Sequence, residues 1–203
     1  MTDVTAAVTP KGERRRHALV SAAAELLCED GFDAVRHRAV ARRAGLPLAS
    51  TTYYFSSLED LLANAVEYAG MNAMYRLRAR VGALSRRRRG VEATADVLVD
   101  LLLGDGPPAR ISEELIARYE IYIACARHAW LRDVQRRIRR DSAALLTEAI
   151  ERCGRGVRRD RVNAMMYAID GAIVAALVDD RGNLRETARA AMVDVIDVLA
   201  PLR

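Results

Sequence analysis

The sequence predicts an all-α protein, and three observations carry that prediction. Ala, Leu, Val and Arg dominate, while aromatic residues make up only 5%, a composition that suits helices. Val, Ile and Thr nowhere alternate with polar residues as they do along half-buried strands. Apolar residues recur instead at helical spacing between breaks marked by glycine and by five prolines. A chain of 203 residues that is 51% hydrophobic can bury a sizeable core, which excludes wholesale disorder.

The elements follow in order. Residues 1 to 8 read as a loose arm. Thr9-Pro10 then supplies an N-cap and a proline at the first helical position. The first helix runs to about Glu29 with Leu19, Ala22, Ala23, Leu26 and Leu27 on one face, and Gly31 suits its left-handed end. Phe32 is expected to fold back on that helix as a core plug. A short second helix spans about His37 to Ala44 and buries Val40, Ala41 and Ala44. Gly45 gives the turn its permissive backbone, and Pro47 opens a third helix, Leu48 to Tyr54. Ser57-Leu58-Glu59-Asp60 is a near capping box, with Asp60 where Glu or Gln is usual. It starts a long helix to about Leu84, which Gly70 and Gly82 could interrupt.

Further helices are expected at about Val91–Leu103, Ser112–His128, Ala129–Cys153, Asp160–Val178 and Leu184–Leu199, nine in all. Loops fall at 104–108 and 179–183. The arginine run 86–89 reads as a solvated helix end, and His128 and Trp130 as packing at a helix junction.

The net charge of +5 is only mildly basic and by itself says little about partners. Lys11 is the sole lysine, and the arginine excess reads as the coding bias of a GC-rich genome. Cys28, Cys125 and Cys153 are odd in number and lack metal-ligand spacing, so neither a zinc site nor a disulfide framework is expected. No apolar run reaches about 18 residues and the N-terminus has no signal-peptide core. A cytoplasmic protein with no membrane partner and no cofactor is the expectation.

Function is concentrated between Phe32 and Leu62. Two short helices around a tight turn form a helix-turn-helix, and the second presents short polar groups and exposed tyrosines. A helix that reads DNA places small or hydrogen-bonding side chains on base edges while flanking groups hold phosphates. Leu48, Ser50, Thr52, Tyr53 and Tyr54 meet that need. Ser50 and Thr52 offer short donors and acceptors, and the tyrosines bring hydroxyls to phosphate and rings to thymine methyls. Arg36 and His37 put a cation and a helix N-terminus where phosphate would lie, and Ser57 marks another such end. Phe55 is expected in the core.

These residues resemble the TetR-type (tetracycline-repressor-like) transcriptional regulators. The resemblance rests on the Ala-Ala-x-Glu-Leu-Leu segment ending at Leu27, Gly31-Phe32, Val40-Ala41, Ala44-Gly45, Ser50, Tyr53-Tyr54-Phe55 and Ser57-x-Glu-Asp-Leu61. It covers residues 11 to 65. Three positions depart from the pattern: Arg36 replaces a frequent threonine, Thr52 a frequent aromatic and Leu58 a usual lysine.

The resemblance implies a DNA-binding domain over 9–56 and an effector-binding and dimerisation domain over 57–203. It further implies that the last two helices form a four-helix bundle with a second copy. Ile169, Ile173, Ala176 and Leu177, with Met192, Val195, Ile196 and Leu199, are the candidate interface; an intrachain core stripe is the alternative. Met71, Met74, Tyr75, Tyr119, Tyr122, Ile123, Met166, Tyr167 and Asp170 are candidates for a small-molecule pocket, since methionines adapt and tyrosines carry polar tips. The same residues also suit plain core.

The function expected is a ligand-responsive repressor that releases a palindromic double-stranded operator when a small molecule binds. Coupling would pass along the helix that begins at Ser57. The alternative is ligand-independent DNA binding by an architectural protein with a helical interaction domain. No Ser/His/Asp grouping, HExxH, P-loop or GxGxxG occurs, and the three histidines show no ligand spacing, so neither catalysis nor a metal is expected.

Overall fold

The computed structural model describes residues 9–104, 106–179 and 183–202. The expected arm at 1–8, and the expected loop positions Asp105 and 180–182, lie outside the described residues. Nine α-helices and two 3-10 turns account for the fold of what is described. All-α is therefore the architecture, and an isolated antiparallel bridge joins Arg155 to Leu202. The chain divides into two compact units. One comprises the residues up to Gly70 with Ala117–Gln135; the other comprises Met71–Ile116 and the residues from Arg136 onward.

In the first unit α1 spans Pro10–Asp30. The Thr9 hydroxyl accepts from the Gly12 N–H at 3.2 Å, satisfying one orphan donor of the first turn. Leu19, Ala23 and Leu27 are buried on its inner face. Gly31, at φ 79°, ends it in a backbone conformation that residues with a side chain avoid. A 3-10 turn, Phe32–Ala34, leads to α2, His37–Arg43, and then α3, Leu48–Tyr54. The plug expected at Phe32 is Val35, which is fully buried. Phe32 is half-buried and stacks on the His128 ring with centroids 5.6 Å apart, beside Trp130 at 6.5 Å. Its aromatic partners stand far along the chain.

The helix α4, Leu58–Ala83, is continuous through Gly70 and Gly82. Its capping box forms with a shift: the Ser57 hydroxyl accepts from the Asp60 N–H at 3.1 Å, while Asp60 Oδ2 accepts from the Ser56 N–H at 3.0 Å. The helix passes from the first unit into the second.

The second unit contains α5, Val91–Leu103, the start of α6, Pro108–Arg127, most of α7, Arg132–Arg152, and α8 and α9, Arg159–Val178 and Leu184–Leu199. The helix α6 begins at Pro108, a turn before the expected Ser112, because proline lacks only an N–H that a first turn leaves unbonded. The helix expected from Ala129 opens as a 3-10 turn, Ala129–Leu131. The core lies where α9 packs on α8 and α5 and buries Leu98, Ile169, Ile173, Met192 and Ile196. Each such side chain contributes about 1.5–3 kcal/mol of burial.

The arginine run is not wholly solvated. Arg86, Arg87 and Arg88 are exposed, but Arg89 is buried. Its guanidinium donates to the Ser85 carbonyl at 3.1 Å and the Arg152 carbonyl at 3.3 Å, supplying donors that two helix ends lack. Arg155, 1% exposed, donates to Asp197 Oδ1 at 2.8 Å, the Ala200 carbonyl at 2.9 Å and Thr94 Oγ1 at 3.2 Å. A buried guanidinium held by three acceptors pins the end of α9 to the start of α5. Burial pushes the Cys125 and Cys153 thiols up from their ordinary range.

Candidate nucleic-acid interface

The turn between α2 and α3 is a Schellman motif. Gly45, at φ 64°, donates from its N–H to the Arg42 carbonyl at 3.2 Å, and Leu46 donates to the Ala41 carbonyl at 2.9 Å. Pro47 then sets an extended entry, φ −58° and ψ 144°, from which α3 starts. Two residues seat that helix. Thr51 is fully buried with its hydroxyl on the Leu48 carbonyl at 2.8 Å, and Phe55 is 2% exposed with the Arg16 guanidinium 5.2 Å from its ring centre.

Anchoring at Thr51 and Phe55 turns the opposite side of α3 outward. Leu48, Ala49, Thr52 and Tyr53 form that face, and Tyr53 is 80% exposed. The Tyr54 ring meets Tyr53 edge-on, with centroids 4.8 Å apart, and is itself half-buried. Ser50 is also half-buried, at the flank of the exposed face. The Thr52 hydroxyl bonds the Ala49 carbonyl at 3.2 Å and keeps lone pairs for an incoming donor. Ala49 belongs to the face although nothing in the sequence singles it out, because a methyl group has no chemistry that marks it.

Arg36 is the N-cap residue of α2 and supplies no side-chain cap. Its guanidinium folds back to Asp33 at 3.3 Å and to the Val35 carbonyl at 3.1 Å. His37 is half-buried, with Nδ1 enclosed and without a protein partner. At Ser57 the first turn of α4 already carries Glu59 and Asp60, so carboxylates share the end expected to meet phosphate. Between residues 9 and 56 stand eight Lys and Arg side chains against five carboxylates. Arg38 and Arg42 are exposed on α2, one turn apart. Arg43 instead ties α2 to α1, 2.8 Å from Glu29 and 3.4 Å from Glu25. That hydrogen bond holds the Glu29 carboxyl below its usual range.

The pocket candidates are divided between the units. Tyr119, Tyr122 and Ile123 lie in the first, where the two tyrosines meet edge-on at 5.8 Å and Arg118 lies over Tyr119 at 5.1 Å. Met71, Met74, Tyr75, Met166, Tyr167 and Asp170 lie in the second. There the Ser142 hydroxyl is 3.2 Å from Met74 Sδ, while Met71 and Tyr75 are exposed. Met166 faces the core, whereas Tyr167 is exposed and carries Arg139 at 4.6 Å over its ring. The void that Met166 lines with Met165, Met192 and Ile150 measures about 10 Å³, room for one water at most.

The interface candidates Ile169, Ile173, Ala176, Met192 and Ile196 are buried by the chain's own helices, and Leu177, Val195 and Leu199 are half-buried. Periodicity identifies an apolar stripe without saying what covers it. A second stripe on α8, made by Ala164, Tyr167, Gly171, Val174, Ala175 and Val178, remains exposed. With apolar residues on both faces, this helix reaches a mean hydropathy of 1.4 over 18 residues, higher than its interrupted apolar runs suggest. One face of the helix is buried and the other is exposed. Among the described residues, no group of three or more His, Cys, Asp or Glu is placed to hold a metal ion.

Two family models match. The model for bacterial regulatory proteins of the tetR family covers residues 19–65, and that for the tetracyclin repressor-like C-terminal domain covers residues 89–198. The chain belongs to the TetR family. It is a DNA-binding transcriptional regulator. No curated protein sequence matches the chain significantly.

Solved structures agree. The chain is similar to the candidate transcriptional regulator SCO7518 of Streptomyces coelicolor A3(2), at 25% identity and TM-score 0.70, over 90% of this chain and 98% of that one. It is also similar to the multidrug binding protein EbrR complexed with imidazole, at 30% identity and TM-score 0.67, over 89% and 94% of the respective chains. The proflavin complex of EbrR gives 27% identity and TM-score 0.67, over 90% and 99%.

Proposed function

We propose that two copies of this TetR-family chain bind a palindromic operator as a repressor and release it when a small molecule occupies the effector domain. The observation that carries the proposal is the exposed face of α3, which Thr51 and Phe55 hold outward and on which Leu48, Ala49, Thr52 and Tyr53 stand together. Such a surface has the shape and donor set of a major-groove reader. Residues 9–56 act as the reader and 57–203 bind effector and partner. The half-buried Ser50 and Tyr54 serve its edge, and Arg36, His37 and Ser57 the flanking phosphates.

The long helix α4 couples the two functions, since it begins beside the reader and ends in the second unit. A change in its tilt would alter the spacing of two recognition helices from the roughly 34–36 Å of one DNA turn. The effector must then bind the DNA-incompetent dimer more tightly, and DNA must oppose effector by the same factor. EbrR is bound to proflavin and ethidium in its structures, and flat organic cations are the first class to test here. The regulator works in the cytoplasm and performs no catalysis in this reading.

The small size of the void beside Met166 favours a second reading, DNA binding without an effector. A 10 Å³ void admits no drug-sized molecule. Met165, Met166 and Met192 around it are flexible enough to repack, which preserves the first reading. Genomic fragments selected on the purified protein at physiological salt test the proposal. An enriched palindrome establishes the operator. Release by a proflavin-like cation then supports the effector-controlled reading, and its absence across ligand classes supports the second.

A further inference from the structure

We propose that a groove on α1, lined by Lys11, Arg14, Arg15, Ala18 and Leu46, is a second track for the DNA sugar–phosphate backbone. The inference rests on the reading of this protein as a DNA-binding regulator and enlarges the surface that performs it. The groove is formed by residues of the first unit alone. At 3.6 residues per turn, positions 11, 14, 15 and 18 fall within about 100° of one side of the helix. All three cations on it are exposed. Glu13 lies on the opposite side of the helix by the same geometry. Arg16 is committed elsewhere, donating to Asn64 Oδ1 at 2.7 Å and lying over Phe55.

Among the described residues, no carboxylate pairs with Lys11, Arg14 or Arg15, and Arg14 Nε reaches only the Pro10 carbonyl at 3.2 Å. This contrasts with Arg36 and Arg43, whose cations are engaged by Asp33 and by Glu25 and Glu29. The groove therefore holds three positive charges that the fold does not use. Its far wall, Leu46, belongs to the turn that delivers α3, two residues before Leu48. Three cations beside the turn that delivers the reading helix select DNA as the occupant over a free anion or an acidic peptide. The apolar floor of Ala18 and Leu46 suits the deoxyribose between successive phosphates.

The variant K11Q/R14Q/R15Q, with helix content and melting temperature compared to the parent, tests the assignment. Binding is measured over 50–200 mM salt to the selected operator and to a duplex of unrelated sequence. Each phosphate contact contributes about 0.9 to the slope of log affinity on log salt, so loss of three from each of two bound copies lowers the slope by about 5.4. The parent's fall in affinity over that range should then exceed the variant's by about 1,800-fold. Base preference in the selected operator should stay as it was, because phosphates carry no sequence. An unchanged slope on both duplexes overturns the groove's role. The unrelated duplex keeps the two ideas separable: with no selective operator the regulator reading fails, while a slope lowered there still supports the groove. Should the triple variant melt early, single Gln variants, each expected to lower the dimer's slope by about 1.8, decide the same question.

Discussion

Arg36 shows how one substitution exchanges a local bond for a charge. A hydroxyl at that position would cap α2, whereas the guanidinium leaves the cap unmade and turns to Asp33 at 3.3 Å. The pair is exposed on both sides, so it is weak and yields to a phosphate. Arg36→Ala should weaken binding to every DNA sequence and reduce the dimer's salt slope by up to about 1.8. Asp33→Asn should do the reverse and tighten binding several-fold, because it frees the cation; titrations of both variants at three salt concentrations decide the matter. Acid tests another pair. Arg43 holds the Glu29 carboxyl below its usual range, so the bond's stabilisation is present above the ordinary carboxylate pKa and is lost as pH falls through the lowered value. Melting curves from pH 7 to 3 should show Glu29→Gln destabilised at neutral pH and the difference closing towards pH 3. The sequence made Phe55, Tyr53 and the buried α1 face legible, since ring size and periodicity mark them. Ser50 at the flank and Ala49 at the centre were not legible, because α3 is rotated by what Thr51 and Phe55 touch, and those contacts come from other helices.

Helix ends were readable where the chain writes its own caps. Thr9, Ser57 and Asn183 each accept from a backbone N–H within three residues, and such bonds need no distant partner. Arg89 could not be read in the same way, because the Arg152 carbonyl that accepts from it stands 63 residues away. The stacking of the Phe32 ring on His128 likewise involves a residue far along the chain. Two glycines separate local from distant demands. Gly45 has φ 64° with nothing within 4 Å of an added Cβ, so Gly45→Ala should cost only the backbone strain, about 1–2 kcal/mol. Gly154 has φ 77°, and an added Cβ would stand 2.9 Å from Arg88 Cγ and 3.0 Å from Arg88 Cα. Backbone cannot swing aside as a side-chain tip can, so Gly154→Ala should cost clearly more than Gly45→Ala. Urea denaturation of the two variants gives the order, and equal midpoints would show that the Arg88 segment moves freely.

At the scale of the molecule, the proposed pairing of two copies turns on α8. Its inner stripe, with Ile169, Ile173 and Ala176, is spent on α9 and the rest of the core. Its outer stripe exposes Val174 by 44% and Val178 by 81%, with Gly171 and Ala175 small enough for a second helix to approach closely. An apolar stripe of that length in water is costly to leave bare, which argues for a partner copy on it. A two-fold axis there would give each copy the same surface, as a closed dimer requires. Val174→Glu together with Val178→Glu should therefore produce a monomer in sedimentation at micromolar protein, with its melting temperature little changed. Ile173→Glu should instead unfold the second unit, because it places a charge in the core at several kcal/mol. The monomeric variant should lose the operator's selectivity and keep weak, salt-sensitive binding, since one reader alone makes too few contacts. A dimer that survives both glutamates would move the contact to α9, where Ala190 and Val198 are the exposed apolar residues, and would leave the outer stripe of α8 without a role.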